Sequence, residues 1–554
     1  MESKMTQENT APVSANKAGL VALNSLLALS GGATTLLFTY GGSLLFAIAG
    51  AVLSIGVCVV VLFRLHPIET SLRKPKPLPL IFGVVLAVFT ALTYRTEFID
   101  TTSAIVDKLR SVPSLFAYAD IVGRVLPTLV CVFAIPALFL WFYLFTDHAA
   151  RFVRRWKQRA NRTEKLFLLV GFLIAVAAVS LVYGRTNAFY GSSEPYDVIY
   201  TTDSSNLVKT NVFFYVNAYE NDIRQPLFAV FSMPFAAVAM ILSKLLFFVP
   251  NAYPILLACV QALVMLFGFT LLSRVLRLTG VDQLLFLCLL SVSYPTMLFL
   301  FTIEQYVFSV FWLIVLVYLW AEQEEPGTMA YVAATGSLLT SGVFFPLLFT
   351  KKGFRDRVRS LIAAALAFLA VFVVFARVPL LNHPMQALRD LSSFTGESVG
   401  FGNRALQYFN FIAACFTQPN AGLDLTTNAF ASYQLSPVTG VNVLGMIVLL
   451  LAATSTLLQL KDRTIRVFAC WAAFSVLLLM VVGWGAAENG MVLYTLYFSW
   501  AFAALLDSLL RRVLPRRITL RRILAALVVL ALACVNISGM IGLVRFAVAY
   551  FPAA

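Results

Sequence analysis

Charged side chains are scarce in this sequence. Asp, Glu, Lys and Arg make up 12% of its 554 residues, about half the share of a soluble domain. An ordinary soluble globular enzyme is therefore excluded. Histidine is rarer still: His66, His148 and His383 are the only three, and they fall on opposite sides of the topology derived below, so they cannot form one metal site. The seven cysteines (Cys58, Cys131, Cys259, Cys288, Cys415, Cys470 and Cys534) show no close spacing, which gives neither a disulfide framework nor a thiolate metal motif. No Gly-rich loop runs into Gly-Lys-Ser/Thr, which argues against ATP-driven transport by this chain. A GxSxG nucleophile turn is also missing.

What is present is apolar: 60% of the residues are hydrophobic and the mean hydropathy is +0.86. The excess is laid down in runs of about 20 residues, the length a helix needs to cross a hydrocarbon core of about 30 Å. Runs such as 166–181 (LFLLVGFLIAVAAVSL) do not alternate, which excludes a transmembrane β-barrel. The expected fold class is all-α, a polytopic transmembrane helical bundle.

The net charge of +15 reflects membrane topology rather than nucleic-acid binding. Of the 41 Lys and Arg residues, 29 fall in segments before Gly19 and in 64–76, 151–165, 274–277, 351–359, 461–466 and 511–522. The positive-inside rule places these in the cytoplasm. About 13 full crossings follow, at 18–40, 43–63, 78–94, 124–146, 165–184, 252–273, 283–301, 304–321, 359–380, 440–460, 465–484, 491–510 and 523–548. Parity leaves two apolar stretches over. Residues 226–248 read as an interfacial or re-entrant helix on the outer face, and 328–350 as a pair of half-helices broken near Thr340–Pro346. The chain divides into a polar, disordered cytoplasmic tail (1–17), a four-span module (18–164), a main region (165–510) with outer loops at 185–250 and 381–439, and a basic loop with a last span (511–554).

Polar chemistry collects on the outer side. Loop 185–225 carries Asp203, Lys209, Glu220, Asp222 and Arg224, with Tyr196, Tyr200, Tyr215 and Tyr219; the second loop carries Arg404. Glu304, Arg377, Glu488 and Asn489 punctuate the outer ends of spans. Ionisable groups near the apolar core are costly and mark candidate functional sites. Against that stand plainer roles: loop carboxylates facing water, Arg377 snorkelling to headgroups, tyrosines anchoring the interface.

A span at 165–184, an outer loop with Asp203, then IRQPLFAVF (223–231), an amphipathic outer helix and a span ending in SRVLRL (273–278) resemble the GT-C superfamily of integral-membrane glycosyltransferases. Pro295 followed by Glu304, and the broken stretch GSLLTSGVFFPLL (336–348), are similar to later parts of that pattern. Arg224-Gln225-Pro226 stands where many members have His-Pro-Pro, so no histidine is carried over. The resemblance covers about 165–510 and leaves the first four spans unexplained.

The resemblance implies a GT-C-like bundle with outer-face juxtamembrane helices. It implies transfer of a sugar from a polyprenyl-phosphate donor to the hydroxyl of an envelope glycan or lipid, with inversion, at the outer face of a bacterial cell membrane. Asp203 is the expected general base, with Asp222 the alternative. Arg377 leads the candidates for the leaving phosphate, followed by Arg404, Arg224 and Lys209. Glu304 and Glu488 bind sugar hydroxyls or orient Asp203; Asn489 and Tyr200 complete the expected binding set. A lipid-monophosphate donor carries its own leaving group, so no metal or other cofactor is expected, and no nucleic acid. A transporter, lipid-linked-glycan flippase or ligase, or an envelope scaffold is the competing class; a transporter predicts inverted repeats and mid-span charges, and neither is evident.

Overall fold

The computed structural model describes the chain apart from residues 1–16, 40–43, 66–75, 192–197, 201, 217–222, 324–326, 350–352, 378–388, 390–391, 393–394, 397, 420, 425–428, 433–439, 487–489 and 554. It is a polytopic helical membrane protein. Eleven described helices are long and apolar enough to cross a bilayer, and a bent pair makes a twelfth. Many carry uncovered Leu, Ile, Val and Phe, including Leu527, Leu530 and Ile541 near the C-terminus; on a bundle of this length such surface faces lipid. The chain forms two compact units, residues 1–153 with 370–378, and residues 154–369 with 379–554.

The first unit contains α1 (Lys17–Phe38), α2 (Leu44–Leu65), α3 (Pro77–Arg110) and most of α4 (Phe116–Arg159). Helices α3 and α4 run well beyond the expected spans at 78–94 and 124–146. Asp147 takes Lys76 and Arg151 in ion pairs of 2.9 Å each.

The second unit holds α5 (Arg162–Tyr183), the short α6 (Ser204–Thr210), α7 (Phe228–Leu245), α8 (Ala252–Val275), α9 (Gly280–Val292), α10 (Tyr294–Phe301), α11 (Tyr306–Gln323) and α12 (Thr328–Ser337). Most of α13 (Phe354–Val374) follows, then α14 (Phe401–Ala414), the hairpin β1 (Ala421–Asp424) and β2 (Ala429–Ser432), α15 (Gly440–Leu458), α16 (Arg463–Ser475), α17 (Thr495–Val513) and α18 (Ile518–Tyr550). Helix α5 starts with a capping box in which Asn161 and Glu164 satisfy each other's backbone N–H groups.

Two expectations change. The span at 283–301 is the bent pair α9 and α10, broken by 58°. Ser293 is extended, Pro295 occupies the first turn of α10, and the freed Tyr294 N–H donates to the Phe416 carbonyl at 3.2 Å. Residues 228–245 form one continuous helix whose length and composition would also fit a crossing; it starts beside the cavity residue Gln225, and the next helix starts just after Asn251, which donates to Tyr190 at the Tyr183 end. The break in 328–350 falls at Leu338, ahead of a 3-10 segment Leu339–Phe349 that includes Pro346.

In the second unit, polar tethers sort the helix ends into two groups. At one end, Glu164 of α5 pairs with Arg274 at the end of α8 (2.6 Å), and Gln283 of α9 donates to Glu164 (3.0 Å). Asp282 takes Arg521 and Arg522 from α18 at 2.6 and 2.9 Å, and Arg159 reaches Glu322 of α11 at 2.7 Å. At the other end, the Tyr183 hydroxyl donates to the Phe301 carbonyl, Thr186 to the carbonyls of Ala547 and Phe551, and the Asp203 backbone meets Glu304. Basic residues far apart in the sequence, Arg274, Arg511, Arg521 and Arg522, thus share one end of this unit.

Candidate functional site

The second group of ends encloses a cavity of about 220 Å3. Asp203, Arg224, Gln225 and Glu304 line it with Tyr306, Trp471, Trp484, Tyr494, Tyr497 and Phe498. A concave site with a few converging polar groups on an apolar, aromatic wall is the usual form of a small-molecule site.

Asp203 immediately precedes α6. The chain reaches it through Val198, Ile199 and Tyr200, all buried, with Tyr200 in the left-handed region at φ 50°. The Tyr200 hydroxyl is hydrogen-bonded to that of Tyr294 at 2.6 Å. Burial pushes the Tyr200 phenol above its ordinary pKa, so it stays neutral and pins the approach to Asp203. Asp203 itself is exposed, while Glu304 is 4% exposed and accepts from the Asp203 N–H at 2.8 Å. The Glu304 turn is fastened from α8: the buried Gln261 amide donates to the carbonyls of Phe299 (2.6 Å) and Thr302 (2.9 Å).

Arg224 and Gln225 are placed by the break in the next segment. Where α12 ends, the non-helical peptide groups need partners in a water-poor interior. The Leu227 N–H donates to the Gly336 carbonyl and the Leu339 N–H to the Arg224 carbonyl, both at 2.8 Å. A Cβ on Gly336 would stand 2.7 Å from the Leu227 Cβ, so this approach requires glycine. Arg224 comes close enough to Tyr306 and Tyr497 to act electrostatically on both. The Gln225 amide nitrogen donates to the Tyr497 hydroxyl at 3.0 Å; its buried carbonyl oxygen has no hydrogen-bond partner among the described residues.

The aromatic wall is continuous. Ring centroids of Tyr306 and Tyr497 are 5.0 Å apart, and those of Trp471 and Phe498 are 4.8 Å apart. Trp484 donates from its indole nitrogen to the Tyr494 hydroxyl at 3.1 Å. It is aimed by its two neighbours, Gly483 and Gly485, at φ 77° and 75°, values that L side chains rarely adopt.

Of the residues expected from sequence, Asp203, Glu304 and Arg224 meet at this cavity. Arg377, Arg404, Lys209 and Tyr200 do not line it. Arg377 belongs to the first unit, where it is 4% exposed and follows Ala376 at φ 53°; it is not among the lining residues. Arg404 donates to the Val481 carbonyl at 2.6 Å with its guanidinium over the Phe401 ring, a tie between α14 and the segment ahead of Trp484. Lys209 is exposed on α6 and does not line the cavity. Tyr200 is fully buried, which corrects its expected role on a sugar. Asp222, Glu488 and Asn489 lie outside the described residues, as do Glu220, Tyr196 and Tyr219. No three His, Cys, Asp or Glu are grouped as a metal site would need, among the described residues.

The sequence reading missed the aromatic wall and Gln225. The available signal was GWG at 483–485, a tryptophan held between two glycines in an otherwise apolar run. No family model matches the chain, and no curated protein or solved structure matches it.

Proposed function

We propose that the chain is a membrane glycosyltransferase that moves a sugar from a polyprenyl-phosphate donor to an acceptor hydroxyl on an envelope glycan or lipid. The observation that carries this reading is that Asp203 and Arg224 line one aromatic-walled cavity at a single end of the second unit's helices. The positive-inside rule puts that end on the outer face of a bacterial cell membrane, with the N-terminus cytoplasmic.

The chemistry is a single displacement with inversion. The acceptor oxygen forms a bond to the anomeric carbon as the bond from that carbon to the phosphate oxygen breaks. The acceptor's proton passes to the Asp203 carboxylate, the electron pair leaves with the polyprenyl phosphate, and Arg224 faces the negative charge that develops there. Arg224 takes the role first expected of Arg377, and its planar fork suits phosphate. Glu304 positions Asp203 through the backbone, the Gln225 carbonyl oxygen accepts from a sugar hydroxyl, and the Tyr and Trp rings offer flat apolar faces to the pyranose. No step calls for a metal ion.

The test is consumption of polyprenyl-phosphate sugars by the full chain in nanodiscs, comparing the native protein with Asp203→Asn, a nearly isosteric change that removes the proton acceptor. A loss of at least about 10²-fold in turnover, with donor binding retained, is the expected result. Unchanged turnover in the variant would remove Asp203 as the base. Donor bound but never consumed by the native chain would favour a transporter or flippase.

A further inference from the structure

The opposite, basic end of the second unit carries a second cavity, of about 460 Å3, lined by Arg277, Arg463, Arg511 and Arg512. We propose that it binds a phosphate group, carried either by an anionic lipid headgroup or by a soluble phosphate compound. The two cavities share α17: Tyr497 lines one and Arg511 the other, a separation of about 21 Å along the helix. The second site is therefore independent of the first and of the reaction proposed there.

Three helix connections build it. Helix α8 ends in a turn in which the Arg277 N–H donates to the Arg274 carbonyl (2.8 Å) and the Leu278 N–H to the Ser273 carbonyl (3.0 Å). This closure places one residue in the left-handed region, a position that glycine normally fills. Here it is Arg277, at φ 53°. A long cationic side chain kept at a strained position, on the rim of a cavity, points to a role for that side chain. Arg511 fixes the wall: it pairs with Asp507 at 2.8 Å and donates to the Leu276 carbonyl at 3.3 Å, tying α17 to the Arg277 turn. The connection from α15 to α16 closes the third side with Asp462, Arg463 and Thr464.

The charge balance favours an anion. Asp462 is the one acidic residue among those lining the cavity. Its Oδ1 is engaged by the N–H groups of Thr464 (2.8 Å) and Ile465 (3.3 Å), capping α16. Arg511 is matched by Asp507. That leaves Arg277, Arg463 and Arg512, which have no ion-pair partner among the described residues and converge from three connections onto one hollow. Paired guanidinium forks match the oxygens of a phosphate, and basic hollows between helices on the cytoplasmic side suit phospholipid headgroups.

The experiment uses the full chain in detergent. Native mass spectrometry counts retained phosphatidylglycerol against phosphatidylcholine, and calorimetry titrates inorganic phosphate. The variants are Arg277→Gln with Arg512→Gln, and as a control Arg516→Gln with Arg517→Gln, exposed arginines of the same α17–α18 connection that do not line the cavity. Selective retention of phosphatidylglycerol, weakened about 30-fold in the cavity variant and unchanged in the control, supports the site with a lipid as its source. Phosphate binding with the same dependence on the variants, without lipid selectivity, supports it with a soluble source. Equal losses in cavity and control variants reduce the effect to bulk surface charge and overturn the proposal. Equal retention of the two lipids with no phosphate heat overturns it as well. Circular dichroism and gel filtration of both variants establish that they fold.

Discussion

The carboxylate of Glu304 holds the backbone of Asp203: its Oε1 accepts a 2.8 Å hydrogen bond from the Asp203 N–H, across 101 residues of sequence. The Glu304 N–H in turn faces the Gln261 side-chain oxygen at 3.4 Å. Position is thereby passed from a buried amide on α8, through a buried carboxylate, to an exposed one at the cavity. Under the proposed function this arrangement suits Glu304 to positioning Asp203, a role that substitution can separate from direct contact with substrate.

Replacing Glu304 with Gln keeps an oxygen that accepts from the Asp203 N–H; replacing it with Ala leaves that N–H without its acceptor. Turnover is expected to stay within about tenfold for Glu304→Gln and to fall about 10²-fold for Glu304→Ala, the scale of a misplaced catalytic group. Donor turnover in nanodiscs measures both. Equal losses would mean that the charge of Glu304, not its hydrogen bond, is what the site uses.

Gly336→Ala puts a methyl group 2.7 Å from the Leu227 Cβ, at the point where Leu227 donates to the Gly336 carbonyl. Overpacking of this kind costs about 1–3 kcal/mol, and here it pushes on the segment that carries Arg224 and Gln225. The expected outcome is a lower Tm together with weaker donor binding. Gly342→Ala is the control, since its nearest neighbours stand 3.8 Å away and its Tm should be unchanged. Equal Tm values for the two variants would show that the Leu227 segment yields without cost.

The helical bundle was legible because a bilayer demands long apolar runs, and basic residues from distant clusters, Arg274, Arg511, Arg521 and Arg522, do meet at one end of the second unit. Asp203, Glu304 and Arg224 stood out as polar breaks near span ends, and the cavity gathers all three. Ser293 and Leu338 could not be read as break points. Their bends depend on acceptors and donors far along the chain, at Phe416, Leu227 and Arg224, and no local pattern encodes such pairings. Arg377 drew attention for its charge, but its burial within the first unit is a matter of tertiary packing. The aromatic wall was hidden for a different reason: in a chain with 48 Phe and 20 Tyr, one more aromatic run carries little information until its rings are seen facing one another.

Arg224→Lys keeps the positive charge but replaces a planar fork with a point donor. If Arg224 holds the departing phosphate, kcat/KM for the donor should fall about 10-fold or more, because two oxygens can no longer be engaged in one plane. Lys209→Gln removes a charge from the nearby α6, on an exposed side chain that does not line the cavity, and kcat/KM should stay within about twofold. A larger effect at Lys209 than at Arg224 would move the phosphate away from the Arg-Gln-Pro turn.

The pair of Glu164 and Arg274 should dominate stability at the basic end. Arg274 donates to both carboxylate oxygens at 2.7 and 2.6 Å, and Gln283 adds a third hydrogen bond at 3.0 Å. The side chains are 2% and 11% exposed, so water cannot replace a lost partner. Glu164→Leu strips three donors of their acceptor and unmakes the capping box of α5, whereas Arg274→Met leaves a buried carboxylate with only neutral donors. Each single change is expected to cost about 3–5 kcal/mol. The double variant Glu164→Leu with Arg274→Met removes both charges and fills the space, and it should recover part of that cost, because much of the single-variant penalty is a stranded charge rather than a lost attraction. Thermal unfolding of the four proteins in detergent closes the cycle. Additive losses in the double variant would mean that the two residues act separately and that the tether between α5 and α8 is made elsewhere.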